Sequence, residues 1–194
     1  MQQRIQLVQF DQGVGLAGSL MGQQILGQLI AAAPRPSVPT LYFLDFHAVA
    51  IATASFVRAC VLGFRDYARQ QNPNLYPVVA NAPDAVIEDL EIVLGARGDA
   101  IAACRLSPDG TASEAKVLGQ LEAKQQQTLT AVQLLGETDA TSLFKKYGKK
   151  DSVTSSTAWN NRLVALTAKG LLIEISRGRG KSYRSVLSEL THGA

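Results

Sequence analysis

Two adjacent carboxamides, Asn160 and Asn161, with a hydroxyl one helical turn earlier at Thr157, are the side chains of this 194-residue chain best suited to reading hydrogen-bond patterns. An amide offers a donor and an acceptor side by side, an arrangement that can bond a flat polar edge at two points. Further along, Arg177-Gly178-Arg179-Gly180-Lys181 interleaves three cations with two glycines, chemistry that suits anionic oxygens presented from a tight turn. Lys145, Lys146, Lys149 and Lys150 form a second cationic cluster upstream. The candidate binding set is therefore Ser155, Thr157, Asn160, Asn161, Lys149, Lys150, Arg177, Arg179 and Lys181.

Catalysis has no comparable set. The chain has no nucleophile elbow, no Gly-Lys-Ser/Thr loop after a strand, no histidine–carboxylate cluster and no evident pair of carboxylates in a loop, so no enzyme is expected. Cys60 and Cys104 stand alone in apolar segments and read as buried thiols. The two histidines, His47 and His192, lie far apart, so no metal site is expected; His47 reads as structural and His192 as part of a disordered tail. Gly13-Val14-Gly15-Leu16-Ala17-Gly18 has the form of a dinucleotide-binding fingerprint. Where an acid should stand to hold a ribose, however, the chain reads Ala31-Ala32-Ala33-Pro34-Arg35-Pro36, so a plain strand-to-helix turn and no cofactor are expected.

The elements that must position the binding set can be read from spacing. Trp159, Leu163 and Leu166 recur at i, i+4 and i+7 and share one helical face; Thr157, Asn160, Asn161, Val164 and Ala168 fall on another. Ser155 or Ser156 can cap the start, and Gly170 can end the helix in a left-handed conformation. Strands Leu171–Ser176 and Ser182–Leu187 then flank the basic turn. Upstream, Leu121–Leu135 reads as a first helix, Ala140–Tyr147 as a second and Lys149–Thr154 as a turn. This arrangement, over about 120 to 190, resembles the winged helix-turn-helix family of DNA-binding domains.

The resemblance implies that the helix beginning at Ser155 enters a major groove, with Asn160 or Asn161 on adenine edges and Thr157 on a base or phosphate. It places Arg177, Arg179 and Lys181 on backbone or minor groove, and the four lysines near phosphates. Arg162 borders the packed face, where an ion pair and a phosphate contact remain equally open.

Charge is distributed to match. Residues 1–119 carry 8 Lys/Arg against 10 Asp/Glu, whereas residues 120–194 carry 11 against 6, so the cationic character belongs to the C-terminal part. A hydrophobic content of 46% suffices for a core in one domain or two. No run approaches a membrane span and the N-terminus lacks a secretory layout, so a cytoplasmic protein without a membrane partner is expected.

In the N-terminal part, strands read at Arg4–Phe10, Thr40–Phe46, Tyr76–Ala80 and Ala100–Leu106 alternate with helices at Leu16–Ala32, Ala52–Gln71 and Asp84–Leu94. This alternation predicts an α/β layer with a mixed sheet. Thr40–Phe46 is apolar enough to be buried on both faces. The boundaries expected are an α/β domain over 1–110, a linker or last strand over 111–120, and a mainly helical domain over 121–194.

Leu44-Asp45-Phe46-His47-Ala48-Val49-Ala50-Ile51-Ala52-Thr53-Ala54-Ser55-Phe56-Val57 resembles the STAS-like family, relatives of the anti-sigma-factor antagonists. In that family a buried strand ending in Asp leads through a short loop to a helix starting at Ser. The resemblance implies a regulatory phosphorylation site at Ser55, although the acidic neighbour and the glycine of the antagonist pattern are absent. A phosphate there would disrupt an apolar docking surface formed by Phe56 and Val57; otherwise Ser55 caps the helix Phe56–Arg69. The combined expectation is a DNA-binding transcriptional regulator, its STAS-like domain serving homodimerisation or reception of a signal. The alternative is a protein-interaction switch of the antagonist type with a kinase-like ATPase as partner.

Overall fold

The computed structural model describes residues 2–11, 13, 15–148, 155–178 and 180–192. The chain divides into two compact units, Met1–Gln120 and Leu121–Ala194. The first is an α/β unit built on one mixed five-stranded sheet.

Its strands β1 (Gln2–Gln6), β2 (Thr40–Asp45), β3 (Leu75–Ala80), β4 (Ala100–Leu106) and β5 (Ala112–Gly119) lie side by side in chain order. The first four are mutually parallel and β5 returns antiparallel to β4. Segment 112–119, open between linker and strand from its composition, thus belongs to the sheet. Helices α1 (Ser19–Ala32), α2 (Ala54–Val57), α3 (Gly63–Gln71) and α4 (Asp84–Arg97) form the crossovers, with a π-helical turn, Arg58–Leu62, joining α2 to α3. Stepping each time to the adjacent parallel strand with right-handed crossovers puts these helices on one face. They pack on one another accordingly, α1 on α2 and α3, and α2 on α4.

Alternate strand residues Tyr42, Leu44, Val79, Ile101 and Ala103 meet Ile25, Leu29, Phe56, Phe64 and Leu90 in one core. The other alternate set, Leu41, Phe43, Tyr76, Val78 and Ala102, is buried as well, so β2 and β3 are buried along their whole length.

Two boundaries differ from expectation for a shared reason. Leu16 and Ala52, each expected to open a helix, instead form a parallel bridge in which Leu16 N–H donates to Ile51 O (2.9 Å) and Thr53 N–H to Leu16 O (3.0 Å). The extended backbone that the bridge requires at Leu16 and Ala52 is incompatible with helical dihedrals, so α1 starts at Ser19 and α2 at Ala54. Residues Leu7–Phe10, read as strand, form a 3₁₀ turn that buries Leu7. At the far edge, Gly119 closes β5 with φ +88°, and a Cβ there would stand 2.3 Å from Asp99 O.

The second unit is mainly helical: α5 (Ala123–Leu135), α6 (Ala140–Tyr147), α7 (Ser156–Ala168), an antiparallel pair β6 (Leu172–Arg177) and β7 (Gly180–Ser185), and α8 (Val186–His192). Between α5 and α6, Thr138 pairs with Tyr183 through both of its backbone groups, at 3.0 and 2.7 Å, adding a one-residue third strand beside β7. Asp139 caps α6, accepting the Thr141 and Ser142 N–H groups at 2.8 and 3.0 Å. Of the two serines that could cap α7, Ser155 occupies the cap position but makes no side-chain capping bond, and Ser156 is the first residue of the helix. Gly170, φ +77°, ends the helix, and Leu171 N–H reaches back to Leu166 O at 3.0 Å.

The strand expected over Ser182–Leu187 is also revised: the Ser185 hydroxyl accepts Leu187 N–H at 3.2 Å, and Val186, Leu187 and Leu190 bury themselves as one face of α8. That helix includes His192, expected in a tail. The expected turn Lys149–Thr154 lies outside the described residues. Among those described, no helix is long and apolar enough to cross a membrane.

Candidate functional site

Helix α7 is divided as its spacing predicts. Trp159, Leu163 and Leu166 are buried, at 2%, 0% and 0% exposure, and they hold the helix against its own unit. Thr157, Asn160, Asn161, Val164 and Ala168 are exposed. The exposed face borders an open groove of about 1030 Å³, walled by Glu137–Ser142 and Lys146 from the α6 side, Asn160 from α7, and Gly180–Tyr183 from β7. Of the two adjacent carboxamides the groove takes Asn160; Asn161 is exposed outside its lining.

The groove carries both signs of charge. Lys145 and Lys146 are exposed on the last turn of α6. Lys181 holds Glu174 across the β6–β7 pair at 2.8 Å, and that hydrogen bond raises its pKa. Glu137 accepts the Ser182 hydroxyl at 2.5 Å, fastening the start of β7 to the Thr138 bridge. The Asp139 carboxyl is pushed up by partial burial, but its bonds to Ser142 and Thr141 outweigh this and hold it below the ordinary aspartate value. Arg162 stacks over Trp159, its guanidinium carbon 4.9 Å from the ring centroid.

Arg177 ends β6 opposite Gly180, so its backbone lies at the root of the turn. Arg179, Lys149 and Lys150 fall outside the described residues. The groove thus brings together Asn160, Lys146 and Lys181 from three elements, with Thr157 and Asn161 exposed on the same helix.

No family model and no curated protein matches the chain.

In the first unit, Ser55 does not cap its helix. Thr53 does, accepting Phe56 N–H at 3.4 Å as well as Gly18 N–H at 3.1 Å. Its hydroxyl also shares a hydrogen bond with Ser55 Oγ at 3.1 Å, so Ser55 sits half-buried in the first turn. Phe56 and Val57 are both fully buried and form no docking surface; their apolar side chains are consumed by the core. Of the exposed large apolar side chains, the nearest to Ser55 in the chain is Ile51, at 59% exposure.

A polar knot at the C-terminal ends of the parallel strands had no sequence signal beyond an Asp and an Asn that each follow a buried strand. Asp45, with no exposure, accepts Arg4 Nε at 2.6 Å, Asn81 Nδ2 at 2.8 Å and His47 N–H at 3.0 Å. Asn81, at φ +53°, also bridges to Leu106 through both its amide atoms, at 2.9 and 3.0 Å. His47 contributes its backbone only and its side chain is exposed, so it is not the structural histidine expected.

The loop with the dinucleotide-like glycines spends its N–H groups internally: Asp11 Oδ1 accepts those of Gly13 and Gly15 at 2.8 and 3.0 Å. Both cysteines are buried, and desolvation pushes each thiol up to about 12. Among the described residues no three metal-ligating side chains gather.

Proposed function

We propose that the second unit is a winged helix-turn-helix that binds duplex DNA, and that the first is a STAS-like domain serving dimerisation or signal reception in a sequence-specific, cytoplasmic transcriptional regulator. The observation that carries this reading is the groove: the exposed carboxamide face of α7 opens beside Lys146 and the start of β7. The element order α5, Thr138 strand, α6, α7, β6, β7 supports the winged-helix assignment. A recognition helix held by its apolar face, with a β-ribbon beside it, suits simultaneous contact with base edges and backbone. Asn160 is then the adenine-reading residue, and Lys145, Lys146, Lys181 and the turn arginines contact phosphate. The STAS-like assignment of the first unit is supported by strand β2 ending in buried Asp45 and by Ser55 in the first turn of the following helix.

Fluorescence anisotropy against duplex from upstream of the protein's own gene and a shuffled duplex, across a salt series, tests this. Tight binding with preference for the native duplex and a steep decline with salt is expected. Asn160→Ala should reduce that preference by roughly 5- to 150-fold, the range of one bidentate base contact, while Asn161→Ala leaves it nearly intact. Absence of binding to either duplex at low salt would remove the DNA reading.

A further inference from the structure

We propose that Glu174 competes with DNA phosphate for Lys181, so that the Lys181 ammonium reaches the duplex only by exchanging a carboxylate of its own chain for a phosphate. The inference rests on the DNA-binding reading of the second unit and adds to it a residue that lowers affinity without reading sequence.

The positive charge lining the groove comes from Lys146 of α6 and Lys181 of β7. The two are held differently. Lys146 lies over the Tyr147 ring at 5.7 Å, with no carboxylate within ion-pair distance among the described residues. Lys181 donates to Glu174 Oε1 at 2.8 Å, and its raised pKa is what an ammonium held by a carboxylate should show. The strand register makes this pair. Glu174 stands opposite Tyr183 and Ser176 opposite Lys181, so Glu174 and Lys181 are diagonal neighbours on one face of the β6–β7 ribbon, within reach of long side chains. Ser182, the next residue, donates its hydroxyl to Glu137 at 2.5 Å, so both polar side chains at the start of β7 line the groove already bonded to carboxylates.

To an ammonium, a carboxylate oxygen and a phosphate oxygen are acceptors of the same kind. Lys181 cannot take up a phosphate at full strength while it holds Glu174. The exchange is easy because the pair is open to solvent, the two side chains being 56% and 27% exposed, and an exposed pair contributes only a factor of about 1.5 to 5. Glu174 therefore imposes a fixed, modest penalty on binding. That penalty falls on a backbone contact, which carries no sequence information, so every duplex bears it alike. Lys146 has no carboxylate to leave and keeps the whole worth of its phosphate contact.

Anisotropy titration of the full-length protein against the native and shuffled duplexes at low salt tests the competition. Glu174→Gln keeps the shape of the side chain and removes its charge. It should tighten both duplexes by the same factor, roughly 1.5- to 5-fold. In the Lys181→Gln background the same substitution should give no gain, because the contested ammonium is gone. Lys181→Gln alone should weaken binding less than Lys146→Gln does. Without DNA, nuclear magnetic resonance titration of the lysine side chains should find Lys181 titrating above an ordinary lysine in the parent and lower in Glu174→Gln. Equal gains from Glu174→Gln in the two backgrounds would make Glu174 a source of general repulsion and overturn the proposal. So would no gain in the parent background, or a Lys181 titration that ignores Glu174→Gln. Each of these results leaves the DNA-binding reading standing, whereas failure of the parent to bind either duplex removes both.

Discussion

Replacing Asp45 probes the knot that ties β1, β2, β3 and β4 together at their C-terminal ends. The carboxylate has no exposure and holds donors from Arg4, His47 and Asn81. In Asp45→Ala, Asn81 keeps its bond to Leu106 O, so the groups stranded are the Arg4 guanidinium and the His47 N–H. The Arg4 side chain is 28% exposed and recovers part of its hydration. The loss should therefore fall at the low end of that for a broken buried ion pair, about 3 kcal/mol. For a unit of this size that lowers the melting temperature by roughly 10 °C. Arg4→Ala leaves a buried carboxylate with two neutral donors and should cost about 2 kcal/mol. Because both substitutions remove the same pair, the double variant should be less destabilised than the two effects added, by about 1–2 kcal/mol. Urea denaturation of the three variants measures each figure. A loss under about 1 kcal/mol for Asp45→Ala, or strict additivity in the double variant, would refute the claim that the pair is a coupled, buried structural element.

Three further outcomes are expected. Asp139→Ala should cost about 1 kcal/mol by uncapping α6. Because the folded-state carboxyl titrates below its ordinary value, the capping contribution is present above the unfolded aspartate pKa and is lost as pH falls through the folded one, so the variant and parent stability curves should converge on acidification. Cys60 and Cys104, with thiols raised to about 12, should react with a thiol reagent at pH 8 far more slowly in the native state than in denaturant; rapid native-state labelling of either would contradict their burial. Gly119→Ala combines a positive φ with a 2.3 Å approach to Asp99 O and should cost at least about 2 kcal/mol, read as a fall in the urea midpoint.

What could be read in advance depended on how local the determining contacts are. The helical period of Trp159, Leu163 and Leu166 identified the packed face of α7, because burial on a helix follows from spacing alone. The strands β2, β3 and β4 were legible as short apolar runs for the same reason. Leu16 and Ala52 were misassigned because each is claimed by a bridge to a distant segment, and the π-helical turn at Arg58–Leu62 has no compositional signature. Strand β5 carries Ser113, Glu114 and Lys116 on exposed positions, which left its hydrophobic pattern too thin to separate it from a linker. In the groove, spacing alone could not choose between Asn160 and Asn161; the choice is made by β7 and α6, which approach α7 from elsewhere in the chain. The Asp45–Asn81 contact, spanning 36 residues, was invisible for the same reason.

The sheet order has a consequence for biosynthesis. Each strand from β2 to β5 pairs with the one immediately before it in the chain, so every new strand emerging from the ribosome finds its partner already made. No strand waits for a later one to be inserted beside it. At ordinary translation rates the first unit is completed over roughly 6–24 s, long enough for such stepwise pairing to keep pace with synthesis. The antiparallel return of β5 is the last event before the second unit begins. A nascent chain paused between β4 and β5 presents the edge of β4 unpaired, as each earlier strand does until its successor emerges, and an open edge of this kind is a template for misassociation.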